Sequence, residues 1–212
     1  MIYLASRSPR RLELLRQIGI EPRLLLDEDE ARAEALEAVR PGESPTQYVE
    51  RVALAKAHAA RERLEALHAG ATADWPLLPL LACDTTVAIG GTILGKPADA
   101  DDARRILGML SGRSHRVLSS VVVVSASGKK RMQRTQVSRV QFMRLKPADI
   151  DAYIATGEPF GKAGAYGIQG AAAPFVRRIE GSYSGIMGLP LHETALLLQK
   201  AGHRGLDATS AA

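Results

Sequence analysis

The chain has 212 residues, enough for one large domain or two small lobes, and long enough to bury about 70% of its unfolded surface without disulfide or metal staples. Hydrophobic residues make up 46% and charged residues 24%, the balance of a globular chain rather than a disordered one, while aromatics at 4% leave the core to Leu, Ile, Val and Ala. The net charge of +5 comes from scattered arginines with few aromatics, which fits a small polyanionic substrate better than nucleic acid, and the single Cys83 excludes an internal disulfide or a cysteine-based zinc cluster.

Ile2 to Ala5 reads as a short buried strand. Ser8-Pro9 then opens a helix, since Ser suits the N-cap and Pro the first turn; Leu12, Leu15 and Ile18 keep helical spacing and Gly19 ends it. A strand from Arg23 to Leu26 runs into Asp27-Glu28-Asp29-Glu30, and residues 31–39 are helix-prone up to Pro41-Gly42. Ser44 with Gln47 has capping-box spacing and opens a long helix to about His68. Leu77 to Cys83 is a continuous apolar strand of the kind covered on both faces, with Asp84 at its end. Gly90-Gly91 signals a hairpin, and Asp99 caps a helix from Ala100 to Leu110. Two strands follow, Arg116 to Ala126 and on to about Leu145 after the turn at 127–130, then a helix from Pro147 to Thr156. Residues 157–170 are glycine-rich, Phe175 to Ile179 is a strand, 181–188 is a loop, and Pro190 starts the last helix, to about Ala201. The interleaved strands and helices imply an α/β architecture, one domain over 1–201 with a loose tail at 202–212.

The most apolar stretch, Leu77 to Ile89, is broken by Pro79 and Asp84 and is too short to span a bilayer, so no membrane association is expected. Met1 to Arg7 lacks a basic region ahead of an apolar run, so no signal peptide is expected, and a cytoplasmic location follows.

Four segments carry chemistry. Ser6-Arg7-Ser8-Pro9-Arg10-Arg11 sits between a strand and a helix, where unpaired N–H groups and guanidinium forks favour phosphate; an ordinary capped helix with solvated arginines is the alternative. Lys56 lies four residues after Val52 and seven after Val49, on an apolar stripe, so it must snorkel or meet an anion. Asp84, followed by Thr85, is a carboxylate attached to an apolar strand; it fits a Mg²⁺ ligand, a base toward water, or a turn-forming Asx residue. Lys96 follows within one hairpin and suits a phosphate. In Gly161 to Gly170 the repeated glycines let backbone approach a ligand, and the Gln169 amide suits a base edge. The five histidines lack metal-ligand spacing and are expected at the surface or at helix ends, and no Gly-x-Ser-x-Gly elbow occurs.

In this order the segments 5–11, Ala55-Lys56-Ala57, Ala82-Cys83-Asp84-Thr85, Gly95-Lys96-Pro97, Leu110-Ser111-Gly112, 162–170 and Gly188-Leu189-Pro190 resemble the Maf family of nucleoside triphosphate pyrophosphatases. The resemblance implies an inosine triphosphate pyrophosphatase-like fold, an elongated mixed sheet flanked by helices with a substrate cleft between two lobes. It implies hydrolysis of a nucleoside triphosphate to the monophosphate and pyrophosphate with a divalent cation, Mg²⁺ or Mn²⁺. By the same resemblance Asp84 is the proton acceptor and Ser8, Arg11, Lys56 and Lys96 are polar cleft residues. Arg10, Thr85 and Gln169 take the base-specificity positions. The acidic residue after the second strand fits Glu28 or Glu30, and its distance from Leu24-Leu25-Leu26 favours Glu30 as a substrate or metal ligand beside Asp84. Ser-Pro-Arg-Arg, Asp-Thr and Gly-Ile-Gln-Gly are similar to the branch acting on dTTP and UTP; the branch acting on 7-methyl-GTP carries Trp where this chain has Arg10. Arg7 departs from the small or neutral residue of many relatives. The family is also compatible with a homodimer, and its link to septum formation leaves a non-catalytic nucleotide- or nucleic-acid-binding role as the alternative, with a purine-reading inosine/xanthosine triphosphate pyrophosphatase as the enzymatic rival.

Overall fold

The apolar run in the middle of the sequence becomes the strand around which the sheet is laid out. A computed structural model describes residues 1–27, 29–71 and 74–203, without the side chains of Glu30 and Ala33. Glu28 and most of the expected tail, 204–212, lie outside the described residues. The strands are β1 (Tyr3–Ala5), β2 (Arg23–Leu24), β3 (Leu80–Ile89), β4 (Thr92–Leu94), β5 (Ser114–Val124), β6 (Arg131–Phe142) and β7 (Val176–Glu180). They form one mixed sheet in the order β2-β1-β3-β5-β6-β7, with β4 paired to the far half of β3. β1 is parallel to β2 and β3; the pairs from β3 through β7 are antiparallel. The α/β expectation holds.

The helices are α1 (Pro9–Gln17), α2 (Glu30–Ala35), α3 (Pro45–Gly70), α4 (Ala100–Leu110), α5 (Pro147–Ala155), α6 (Tyr183–Met187) and α7 (Leu191–Lys200). The predicted capping box opens α3: Ser44 Oγ accepts from Gln47 N at 3.3 Å and Gln47 Oε1 accepts from Ser44 N at 3.0 Å.

Strand periodicity distributes β3 between two cores. Leu80 and Ala82 face α3, packing with Tyr3, Val122 and Val124 against Ala53, Ala57 and Leu64. Leu81 and Cys83 face the other way, with Ile2, Leu4, Val121 and Val123, onto Leu14, Leu15, Leu197 and Leu198 of α1 and α7. A third cluster gathers α4, α5 and the 165–168 segment around Val117, Val140 and Phe142.

Three expectations are corrected. β3 does not stop before Asp84: Asp84 pairs with Ser120 in mid-strand, because Thr85 to Ile89 continue the ladder along β5. The helix expected over 31–39 ends at Ala35, because the carbonyls that follow bond to side chains of α3 instead of continuing the helix. The 181–188 loop contains α6, capped by Ser182, whose side chain accepts from Gly185 N at 3.0 Å, and stopped by Gly188 at φ +124°.

Candidate active site

Asp84 has the same parity as Leu80 and Ala82, so it points to the α3 side of the sheet, where Lys56 interrupts the apolar stripe that runs from Val49 and Val52 to Ala60 and Leu64. Lys56 Nζ donates to Asp84 Oδ1 at 2.7 Å and to Glu37 Oε1 at 2.7 Å; Lys96 Nζ donates to Glu37 Oε2 at 2.7 Å. The Asp84 side chain is only 8% exposed and that of Lys56 18%, so the lysine on the stripe meets an anion rather than reaching for water. Burial raises the Glu37 carboxyl, but the ammonium groups of Lys56 and Lys96 outweigh it and hold Glu37 below its ordinary value.

Thr85 has the opposite parity and faces α1 and α6. Its Oγ1 lies 2.8 Å from Ser119 Oγ and receives a bond from Arg11 Nη2 at 3.3 Å. Arg11 also donates to Ser6 Oγ at 2.9 Å and to the Gly188 carbonyl at 2.8 Å, and Cys83 Sγ approaches the same carbonyl at 3.1 Å. Arg11 is thus the keystone between the first strand-to-helix turn and the end of α6, with part of its fork left toward the cavity. Ser8 makes no side-chain cap bond to α1; its N–H donates to Ser6 Oγ at 3.2 Å. Arg10 Nε donates to the Met187 carbonyl at 3.3 Å, and burial, then the charge of Arg11, lower its guanidinium from its ordinary value.

The glycine-rich segment is ordered by Glu158. Its carboxylate accepts from Tyr153 Oη and from Ala171 N, both at 2.8 Å, and Tyr153 Oη accepts from Gly167 N at 3.2 Å. A Cβ at Gly170 would lie 2.3 Å from Glu158 Oε1, and one at Gly164, where φ is +72°, would lie 2.8 Å from Val87. Lys162 donates to the Glu158 carbonyl. Behind the segment, His115 Nε2 is 2.8 Å from Tyr166 Oη, and the two rings meet Phe142 edge to face. His115 is 1% exposed, against the expectation of a surface or helix-end histidine; burial lowers its pKa to about 4, so the ring is neutral and packs as an aromatic.

Residues 5–11, Glu37, Lys56, Asp84, Thr85 and Lys96 line one cavity of about 580 Å³ together with residues of the 160–169 segment. Ser8, Arg10, Arg11, Lys56, Asp84, Thr85, Lys96 and Gln169, all nominated from sequence, are on its wall. The Glu30 side chain lies outside the described residues; the carboxylate that meets Lys56 and Lys96 is Glu37. Sequence reasoning missed Glu37 because it sits in an irregular segment without periodicity, and no local motif marks it. Lys162 and Glu158 were also missed as individuals. Among the described residues no cluster of three or more His, Cys, Asp or Glu suited to a metal occurs, and no helix is long and apolar enough to cross a membrane.

The chain is 59% identical over 200 residues to a protein of Ralstonia nicotianae named dTTP/UTP pyrophosphatase, covering 94% of this chain and 93% of that one. It is 55% identical over 202 residues to a protein of the same name from Cupriavidus metallidurans, covering 95% and 97%. Among solved structures, a HAM1 protein from Coxiella burnetii superimposes with a TM-score of 0.49 at 15% identity, over 94% of this chain and 98% of that one. The model of the family described as Maf-like protein matches residues 1–201, and with relatives of this identity and coverage the chain belongs to the Maf family.

Proposed function

We propose that residues 1–201 form a single catalytic domain that hydrolyses dTTP and UTP to the monophosphate and pyrophosphate. The observation that carries the reading is the Asp84 carboxylate, fixed in mid-strand beside Lys56 on the wall of a cavity whose far side bears Gln169. The names of the Ralstonia and Cupriavidus relatives support it. Asp84 takes the proton from a water that attacks the α-phosphorus; the bond from that phosphorus to the bridging oxygen breaks, and pyrophosphate leaves. Lys56, Lys96 and Arg11 neutralise the triphosphate, and Ser8 with the start of α1 presents further donors.

A divalent cation, Mg²⁺ or Mn²⁺, fits the donor set. Asp84 and Glu37 offer hard carboxylate oxygens around one ammonium, and without a full protein cage the ion would complete its shell from phosphate oxygens, as Mg²⁺ commonly does. Such an ion supplies charge neutralisation on the phosphates. Gln169 and Arg10 read the base: an amide both donates and accepts, matching the carbonyl and N–H edge of uracil or thymine, and the guanidinium favours carbonyls.

A pyrophosphate-release assay over a nucleotide panel, with and without Mg²⁺ or Mn²⁺, tests this. Expected is best turnover with dTTP and UTP, less with CTP, and little with ATP, GTP or 7-methyl-GTP. Orthophosphate as the product would overturn the reaction class; preference for inosine triphosphate or 7-methyl-GTP would overturn the base assignment.

A further inference from the structure

We infer that Arg51 and Tyr48 are positioning residues that clamp the backbone at 36–38 and thereby aim Glu37 at Lys56 and Lys96. This rests on the proposed role of the cavity as the pyrophosphatase site.

The two side chains stand three residues apart on α3, so they share a flank of the helix. Three successive carbonyls receive them: Leu36 O accepts from Arg51 Nη1 at 3.1 Å, Glu37 O from Tyr48 Oη at 2.9 Å and Ala38 O from Arg51 Nη2 at 2.9 Å. The segment has left α2 and has not reached α3, so no helix or strand ladder holds it. The guanidinium is itself fixed, because Glu43 accepts from its Nε at 2.6 Å and from Nη2 at 2.8 Å, and Tyr48 lies under it at 5.6 Å from ring centroid to Cζ. Arg51 and Glu43 side chains are 20% and 9% exposed. Burial, then the nearby carboxylates of Asp84 and Glu37, push the Tyr48 hydroxyl above its ordinary value, so it remains a donor. A planar fork that spans carbonyls on both sides of Glu37 cannot be copied by a lysine, whose ammonium is a point donor. The clamp therefore fixes the Cα of Glu37, leaving the carboxylate to bridge Lys56 and Lys96.

The test measures kcat/KM for dTTP or UTP in wild type, Glu37→Gln, Arg51→Met and the double variant. It also follows the backbone ¹⁵N order parameters of residues 36–38 in wild type and Arg51→Met. Expected is a loss of about tenfold in Arg51→Met, the scale typical of residues that orient a ligand group, with no further loss when Arg51→Met is added to Glu37→Gln. The order parameters of 36–38 should fall while those of α3 hold. Arg51→Lys should not rescue either readout. The clamp is overturned by wild-type kcat/KM in Arg51→Met, by the same loss appearing in the Glu37→Gln background, or by unchanged order parameters at 36–38. Should Arg51→Met fail to fold, Tyr48→Phe removes one clamp bond with little change of volume and is judged by the same coupling and order parameters. A fully active Glu37→Gln would instead refute the catalytic reading of Glu37, and the order parameters would still decide the clamp.

Discussion

Lys56 and Asp84 form a 2.7 Å ion pair between the middle of a helix and the middle of a strand, with Glu37 accepting from the same ammonium. A substrate bearing phosphate charge must therefore compete with two carboxylates for one cation at the edge of the cavity.

Asp84→Asn keeps an oxygen acceptor for Lys56 and nearly the same volume, so the fold should survive. Loss of the base should lower kcat by on the order of 10²–10⁴-fold. Steady-state pyrophosphate release, with a melting curve alongside, checks both halves; a variant retaining more than half the wild-type rate would remove Asp84 from proton transfer.

Lys56→Met and Lys96→Met should both weaken triphosphate handling but part company in stability. Lys56→Met leaves Asp84, whose side chain is 8% exposed, without its counter-charge, and should cost about 3 kcal/mol. Lys96 is 49% exposed, so its loss should cost less than about 1 kcal/mol. Denaturant unfolding of the two variants distinguishes them, and equal destabilisation would contradict the burial argument.

Two glycine-to-alanine changes should move stability in opposite directions. At Gly170 the new Cβ would meet Glu158 Oε1 at 2.3 Å, forcing Glu158 off Tyr153 and Ala171, at a cost of about 1–3 kcal/mol. The displaced segment carries Gln169, so discrimination of UTP against ATP should fall as well. At Gly108, exposed inside α4 with nothing within 4 Å, alanine should stabilise by about 0.5–1 kcal/mol. Unfolding midpoints and the UTP/ATP ratio of kcat/KM are the measurements.

His115 should make stability fall between pH 7 and pH 5. Its folded pKa is lowered by burial to about 4 from an ordinary 6.5, so the unfolded chain binds a proton that the folded one refuses. The contribution is complete above pH 6.5 and is lost as pH falls toward the folded value, about 2 kcal/mol of it by pH 5. His115→Phe keeps an aromatic ring among Phe142 and Tyr166 and should flatten this slope in denaturant unfolding at the two pH values. An unchanged slope would mean that His115 is not its source.

Most of the elements were legible because they depend on local rules: the Ser44 capping box, the Pro starts of α1 and α5, and the apolar run that becomes β3. The cavity residues were legible where a polar group interrupts an apolar pattern, as at Lys56 and Asp84. Two things were hidden because they depend on partners distant in sequence. Glu37 is held by side chains of α3, so its segment looks like an arbitrary polar loop. His115 is buried by rings that only the folded sheet brings together. Tertiary contact likewise prolongs β3 past Asp84, since β5 offers partners all the way to Arg116.

The Gly188 carbonyl, which accepts from Arg11 at 2.8 Å and is approached by Thr85 Oγ1 at 3.4 Å, ties the two ends of the sequence together at the cavity. These contacts bridge 177 and 103 positions of sequence. During synthesis β1, α1, α3 and β3 can dock while the corner at Arg11 stays open, because its acceptor has not yet left the ribosome. Closing so long a loop is slow relative to the local helices. Completion of the cavity wall thus waits on the C-terminal part of the chain, and a refolding chain should recover its helical signal before it recovers turnover.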